Sequence, residues 1–99
     1  MAELDGVLHQ PIRLKIMAAL KACPPREALD FVALKAIVGA TDGNLGAHLT
    51  TLEAAGHIQI EKDFVGKKPR TRVQLTRSGR RAFDAYVELL RGILDGDVT

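Results

Sequence analysis

The sequence predicts a mainly helical α/β domain in which a three-helix core is followed by a β-hairpin and a long terminal helix. Three observations carry that prediction. Apolar residues recur at helical spacing over residues 11–22, 32–55 and 77–94, with a break at Gly39. Between Gly56 and Thr76 the period drops to two, in Ile58-Gln59-Ile60 and again in Val73-Gln74-Leu75. Ninety-nine residues, 46% of them hydrophobic, are enough for one core and leave little room for a second, so residues 1–99 are read as one domain.

Each element has its own signals. Pro11 fits the first position of a helix, and Ile12, Ile16, Met17 and Leu20 follow on one face. Cys23-Pro24-Pro25 ends that helix near Ala22, because proline neither donates the next hydrogen bond nor tolerates a helical residue before it. Leu4 to Leu8 is compatible with a further helical turn or with an arm. Phe31 is expected in a very short strand backing the hairpin. A second helix is predicted over Val32–Val38, with Leu34, Ile37 and Val38 available for the core and Gly39 terminating it.

Thr41 offers a capping hydroxyl to a third helix, Asp42–Ala55, whose Leu45, Leu49 and Leu52 form one narrow buried stripe before Gly56 closes it. Helix, tight glycine turn, helix over residues 32–56 is the helix-turn-helix pattern. Alternation at 57–62 and 72–76 predicts an antiparallel hairpin with Phe64–Arg70 as its loop, so residues 57–76 make a wing. The terminal helix, 77–94, starts at Thr76 or Ser78. It carries Phe83, Tyr86, Val87, Leu90, Ile93 and Leu94 in one stripe. Asp95–Thr99 are expected to fray.

The net charge of +2 is unevenly spread. Residues 1–56 hold five Lys/Arg against six Asp/Glu, 57–81 hold eight against two, and 82–99 hold one against four. A +6 segment centred on a hairpin beside a helix-turn-helix points to double-stranded DNA as the partner. The third helix is then the groove-reading element, with Thr41, Asp42, Gly43, Asn44, Ala47, His48 and Thr51 as candidate contacts. A mid-helix glycine costs about 1 kcal/mol against alanine. Gly46 therefore implies close helix packing or close approach of a partner's backbone. Lys62, Lys67, Lys68, Arg70 and Arg72 on the wing can follow phosphates, and Arg70 or Arg72 could enter a minor groove. Arg77, Arg80 and Arg81 open the last helix, where positive charge is mildly unfavourable, which makes sense if an anion comes near. The terminal stripe extends beyond what anchoring one helix needs, so Phe83, Tyr86, Val87, Leu90, Ile93 and Leu94 are candidates for a homodimer interface.

Other function classes have little support. His9, His48 and His57 stand apart without metal-ligand spacing, so no metal and no cofactor are expected. A structural or capping role suits His57. The single cysteine, Cys23, cannot form an internal disulfide and has no neighbouring base, and no catalytic motif is present, so no enzyme activity is expected. The start of the chain lacks a signal-peptide pattern and no stretch is apolar enough to span a membrane, so a cytoplasmic protein is expected. Two rivals stay open: a protein-binding module using the same surface, and a regulator responding to a small molecule or, through Cys23, to oxidants.

The run from Gly39 to Gly56, GATDGNLGAHLTTLEAAG, followed by His57-Ile-Gln-Ile and Val73-Gln-Leu-Thr-Arg-Ser-Gly79, resembles winged helix-turn-helix regulators related to MarR and ArsR. DGNLxxHLxxLEAAG and LTxxGRRAF look like a compact branch of that group, and the similarity spans about Gln10 to Leu90. The resemblance implies a winged helix fold, dimerisation through terminal helices, and transcriptional regulation with repression as the expected mode. It places groove-reading positions on Asp42, Asn44, Ala47, His48 and Thr51, and wing contacts on Lys67, Lys68 and Arg70. The ligand clusters of metal-sensing relatives are missing here. The long helices that shape an effector pocket in larger relatives are missing or short, so no particular effector is implied.

Overall fold

A computed structural model describes residues 4–96; the expected fraying of 97–99 lies outside them. The elements run α1 (Pro11–Lys21), β1 (Ala28–Asp30), α2 (Phe31–Val38), α3 (Asp42–Ala54), β2 (Ile58–Val65), β3 (Lys68–Leu75) and α4 (Arg77–Leu94). Every helix starts on a residue whose side chain accepts a free N–H of its first turn. Gln10 accepts from Arg13 at 2.8 Å, Asp30 from Ala33 at 2.7 Å, Thr41 from Asn44 at 3.2 Å and Thr76 from Gly79 at 2.8 Å. Gly39 ends α2 in the left-handed conformation, φ 70°, and its N–H returns to the Lys35 carbonyl.

Two expectations are corrected, and one left open is resolved. The short strand is Ala28–Asp30, and Phe31 is instead the first residue of α2. The reason is local: the Asp30 carboxylate caps α2, so the chain must become helical one residue later. The segment before α1 is a single helical turn, in which the His9 N–H returns to the Asp5 carbonyl at 2.7 Å. Asp5 accepts hydrogen bonds from the N–H groups of Val7 and Leu8, closing a turn that seats Leu8 in the core with no exposed surface. The hairpin is longer than its alternation suggested. β2 and β3 pair from Ile58–Leu75 to Val65–Lys68, leaving only Gly66 and Lys67 as a two-residue turn, with Gly66 at φ 63°. Charge and proline at 67–70 had read as loop, yet they suit the exposed end of a two-stranded ribbon.

The sheet order is β1-β3-β2, all antiparallel. Ile58, Val73 and Leu75 turn towards the helices, where they meet Leu45, Leu49 and Leu52 of α3 and Ile16, Met17 and Leu20 of α1. Alternation sends Gln59 and Gln74 to the opposite face. Ile37, expected in the core, is 58% exposed. The molecule is elongated, 55 × 25 × 21 Å, because the hairpin and α4 project from this core.

One contact fixes where α4 begins. The Thr76 N–H donates to the His57 carbonyl at 3.0 Å. The hydroxyls of Thr76 and Ser78 donate to the Gly56 carbonyl at 2.6 and 2.9 Å. One turn into the helix, Gly79 lies flat against His57. A Cβ there would fall inside contact with the His57 carbonyl oxygen and stand 2.7 and 2.8 Å from its carbonyl carbon and Cα. The first turn of α4 is thus stapled to the α3–β2 junction, backbone against backbone.

Candidate nucleic-acid interface

The buried leucine stripe of α3 decides what the helix presents outward. Thr41, Asp42, Gly43, Asn44 and Ala47 are exposed, and His48 and Thr51 are half-buried. Several of these side chains are already engaged. The Thr41 hydroxyl caps the helix, Thr51 donates to the Ala47 carbonyl at 3.2 Å, and Asp42 pairs with Lys35 of α2 at 2.7 Å. Among the described residues, Asn44 and His48 have no hydrogen-bond partner for their polar side-chain ends. A Cβ built at Gly43 or at Gly46 meets nothing within 4 Å. Packing inside the chain therefore does not account for Gly46.

The wing carries less free charge than its composition suggests. Arg70 donates to both carboxylate oxygens of Asp63, its register partner, from Nε at 2.9 Å and Nη2 at 2.7 Å. This paired hydrogen bond holds the Asp63 carboxyl below the usual carboxylate range and strengthens the hold of the Arg70 guanidinium on its proton. Arg72 stands opposite Glu61 on β2 and Asp30 on β1. Lys62, Lys67 and Lys68 are exposed, with no ion pair among the described residues. Phe64 and Val65 beside the turn are 70% and 56% exposed, an apolar tip that sequence pattern did not single out.

The three arginines that open α4 divide. Arg77 and Arg80 line an open cleft of about 460 Å³ with Arg26, while Arg81 is exposed and lies outside that lining. Arg26 has φ 72°, left-handed and unusual for a residue with a side chain. Nothing in Pro24-Pro25-Arg26 announced it. Gly79 had a faint signal, a glycine three residues after a capping threonine where a good helix former would be ordinary.

The terminal stripe divides too. Phe83 and Tyr86 belong to the chain's own core, 8% and 3% exposed, which removes them from any surface free for a partner. The Tyr86 hydroxyl lies 2.7 Å from His9 Nδ1, a hydrogen bond whose donor is set by the imidazole tautomer. Val87 and Leu90 pack partly on the core, whereas Ile93 and Leu94 are 40% and 75% exposed. Among the remaining candidates, His57 is largely buried with Nε2 3.8 Å from Asp5, and the half-buried Cys23 thiol points to the Ala19 carbonyl. No group of three or more His, Cys, Asp or Glu able to hold a metal occurs among the described residues. No described helix is long and apolar enough to cross a membrane.

The family described as winged helix DNA-binding domain matches residues 12–94. The chain belongs to that family. An uncharacterized protein of Methanocaldococcus jannaschii is 33% identical over 81 residues, covering 82% of this chain and 85% of that one. Among solved structures, a transcriptional regulator homologue from Pyrococcus horikoshii OT3 is similar over 94% of this chain and 89% of its own, with TM-score 0.81 and 30% identity. A MarR-family putative regulator from Porphyromonas gingivalis shares the fold, with TM-score 0.68 and 21% identity over 89% of this chain and 82% of that one. The family is thus one of DNA-binding domains, and the Pyrococcus horikoshii protein that shares this fold at 30% identity is described as a transcriptional regulator homologue.

Proposed function

We propose that this winged helix protein binds double-stranded DNA with sequence selectivity, as a homodimer, and represses transcription in the cytoplasm. The observation that supports it best is the outward face of α3. Gly43 and Gly46 leave it smooth enough for a sugar–phosphate backbone, and Asn44 and His48 keep uncommitted polar ends suited to base edges or phosphates. Lys62, Lys67 and Lys68 supply the sequence-independent attraction, and Arg70 and Arg72 shape the wing more than they grip DNA. Ile93 and Leu94, with the exposed edges of Val87 and Leu90, are the face offered to a second copy. A two-fold dimer would present two α3 helices to half-sites about one turn of DNA apart.

Replacing Lys62, Lys67 and Lys68 together with Ala tests the DNA reading. Three lost phosphate contacts per half-site should reduce the slope of log K against log salt by about 2.7 per half-site, and affinity should fall alike for all sequences. An unchanged slope would remove the wing from the interface and favour a protein partner. Asn44→Ala and His48→Ala should instead change discrimination between sites, by about 1–3 kcal/mol for a residue that reads a base.

A further inference from the structure

The cleft behind the sheet has the chemistry of a small-anion site. Its walls come from three separate parts of the chain: Arg26 from the turn before β1, Gln59 and Gln74 from the outer face of β2 and β3, and Thr76, Arg77 and Arg80 from the start of α4. Three arginines and two glutamines line it, with Pro25 and Leu75, and no acidic residue does. None of the three arginines has a salt-bridge partner among the described residues. Like charges converging without a counter-ion repel one another, and an anion would remove that repulsion. Guanidinium is also the group that matches phosphate and carboxylate oxygens two at a time.

The backbone points the same way. Arg26 holds the left-handed conformation, where glycine or asparagine would be unstrained. At about 460 Å³ the cleft is of a size that accepts a small metabolite. Its two glutamines also belong to the sheet face turned away from the recognition helix. Gln59 and Gln74 alternate away from Ile58, Val73 and Leu75, and those residues face the side of the sheet on which α3 packs.

We propose that this cleft binds a small free polyanion, a phosphate ester or polycarboxylate, which bridges the β1 turn, the sheet and α4. The phosphate oxygens of such a ligand resemble those of DNA, so the test separates the two sources. Labelled protein without DNA is titrated with inorganic pyrophosphate at constant ionic strength, following amide resonances. Saturable shifts confined to the cleft residues are expected, with about tenfold weaker binding for the Arg77→Gln, Arg80→Gln double variant. Arg26→Gly is the second variant. It removes a guanidinium while relieving the left-handed strain, so it should lose pyrophosphate affinity with an unchanged or raised melting temperature. Unsaturable shifts spread over lysines and arginines everywhere would overturn the proposal. So would a double variant that binds pyrophosphate normally. A double variant that instead loses salt slope on DNA, with no saturable pyrophosphate binding, would make Arg77 and Arg80 contacts to the DNA backbone. Failure of the wing lysine test would leave this measurement intact, because it uses no DNA.

Discussion

Adding one methyl group at Gly79 should remove a substantial part of this protein's stability. The new Cβ would stand 2.7 and 2.8 Å from the carbonyl carbon and Cα of His57 and closer still to its oxygen. All three are backbone atoms in the chain between α3 and β2, so no side chain can swing away. Relief requires the first turn of α4 to lift. Lifting it stretches the Thr76 N–H bond to the His57 carbonyl and the two hydroxyl bonds to the Gly56 carbonyl. Overpacking of a tight site costs about 1–3 kcal/mol, and loss of a neutral hydrogen bond about 1 kcal/mol. With one of these bonds lost, a total of about 2–4 kcal/mol compares with about 5–15 kcal/mol of stability for a whole domain.

For a domain of this size the melting temperature should fall by roughly 10–30 °C, at about 4–8 °C per kcal/mol. Gly46→Ala is the matched control, because a Cβ there meets nothing within 4 Å. In a helix interior, alanine should stabilise by up to about 1 kcal/mol. Thermal unfolding by circular dichroism reads both variants. A Gly79→Ala shift smaller than about 4 °C, or a Gly46→Ala shift of equal size and sign, would refute the reasoning. The same Gly46→Ala protein should bind DNA more weakly despite its greater stability, since the added methyl occupies the face proposed for the duplex.

Two other changes test the wing and the dimer. Arg70→Gln should return the Asp63 carboxyl towards its ordinary range, read by carbon-detected titration; an unmoved Asp63 would mean that the pair does not persist in solution. The sign follows from the depressed folded-state value: the stabilisation is present above the ordinary carboxylate range and is lost as pH falls through the folded value, so the wing pairing should survive mild acid. Ile93→Glu with Leu94→Glu should give a monomer in sedimentation with the melting behaviour of the chain's own core retained, since both side chains are exposed. A persistent dimer would place the interface elsewhere.

The helices and the identity of the hairpin could be read from the residues because one-dimensional periodicity follows directly from burial. Leu45, Leu49 and Leu52 could not have faced water together, and the structure buries all three. What could not be read were quantities set by two distant segments at once. Arg70 counted as a free wing cation until the register placed Asp63 opposite it. Tyr86 fits an interface stripe by spacing, but spacing says nothing of His9, whose ring nitrogen meets its hydroxyl across most of the chain. The hairpin's loop was overestimated for a related reason. Lys68 and Arg70 are hydrophilic because their strand faces water, and composition alone does not separate a solvated strand from a loop.

These placements give α4 a mechanical role that neither of its ends has alone. Its first turn cannot move without moving the His57 backbone, and through it the end of α3. Its last turn carries Ile93 and Leu94, the residues proposed to meet a second copy. Eighteen residues of helix span about 27 Å. A tilt of roughly 5° about the Gly79 contact would displace the far end by about 2 Å over that length, enough to alter the separation of two α3 helices in a dimer. Arg77 and Arg80 sit at the pivot, on the side of the helix that lines the cleft with Arg26. An anion drawing those arginines towards the sheet would therefore act where a small rotation has its largest reach, and its expected signature is a change in preferred half-site spacing when pyrophosphate is present. An unchanged spacing preference in the presence of saturating pyrophosphate would show that the cleft and the dimer geometry are not linked.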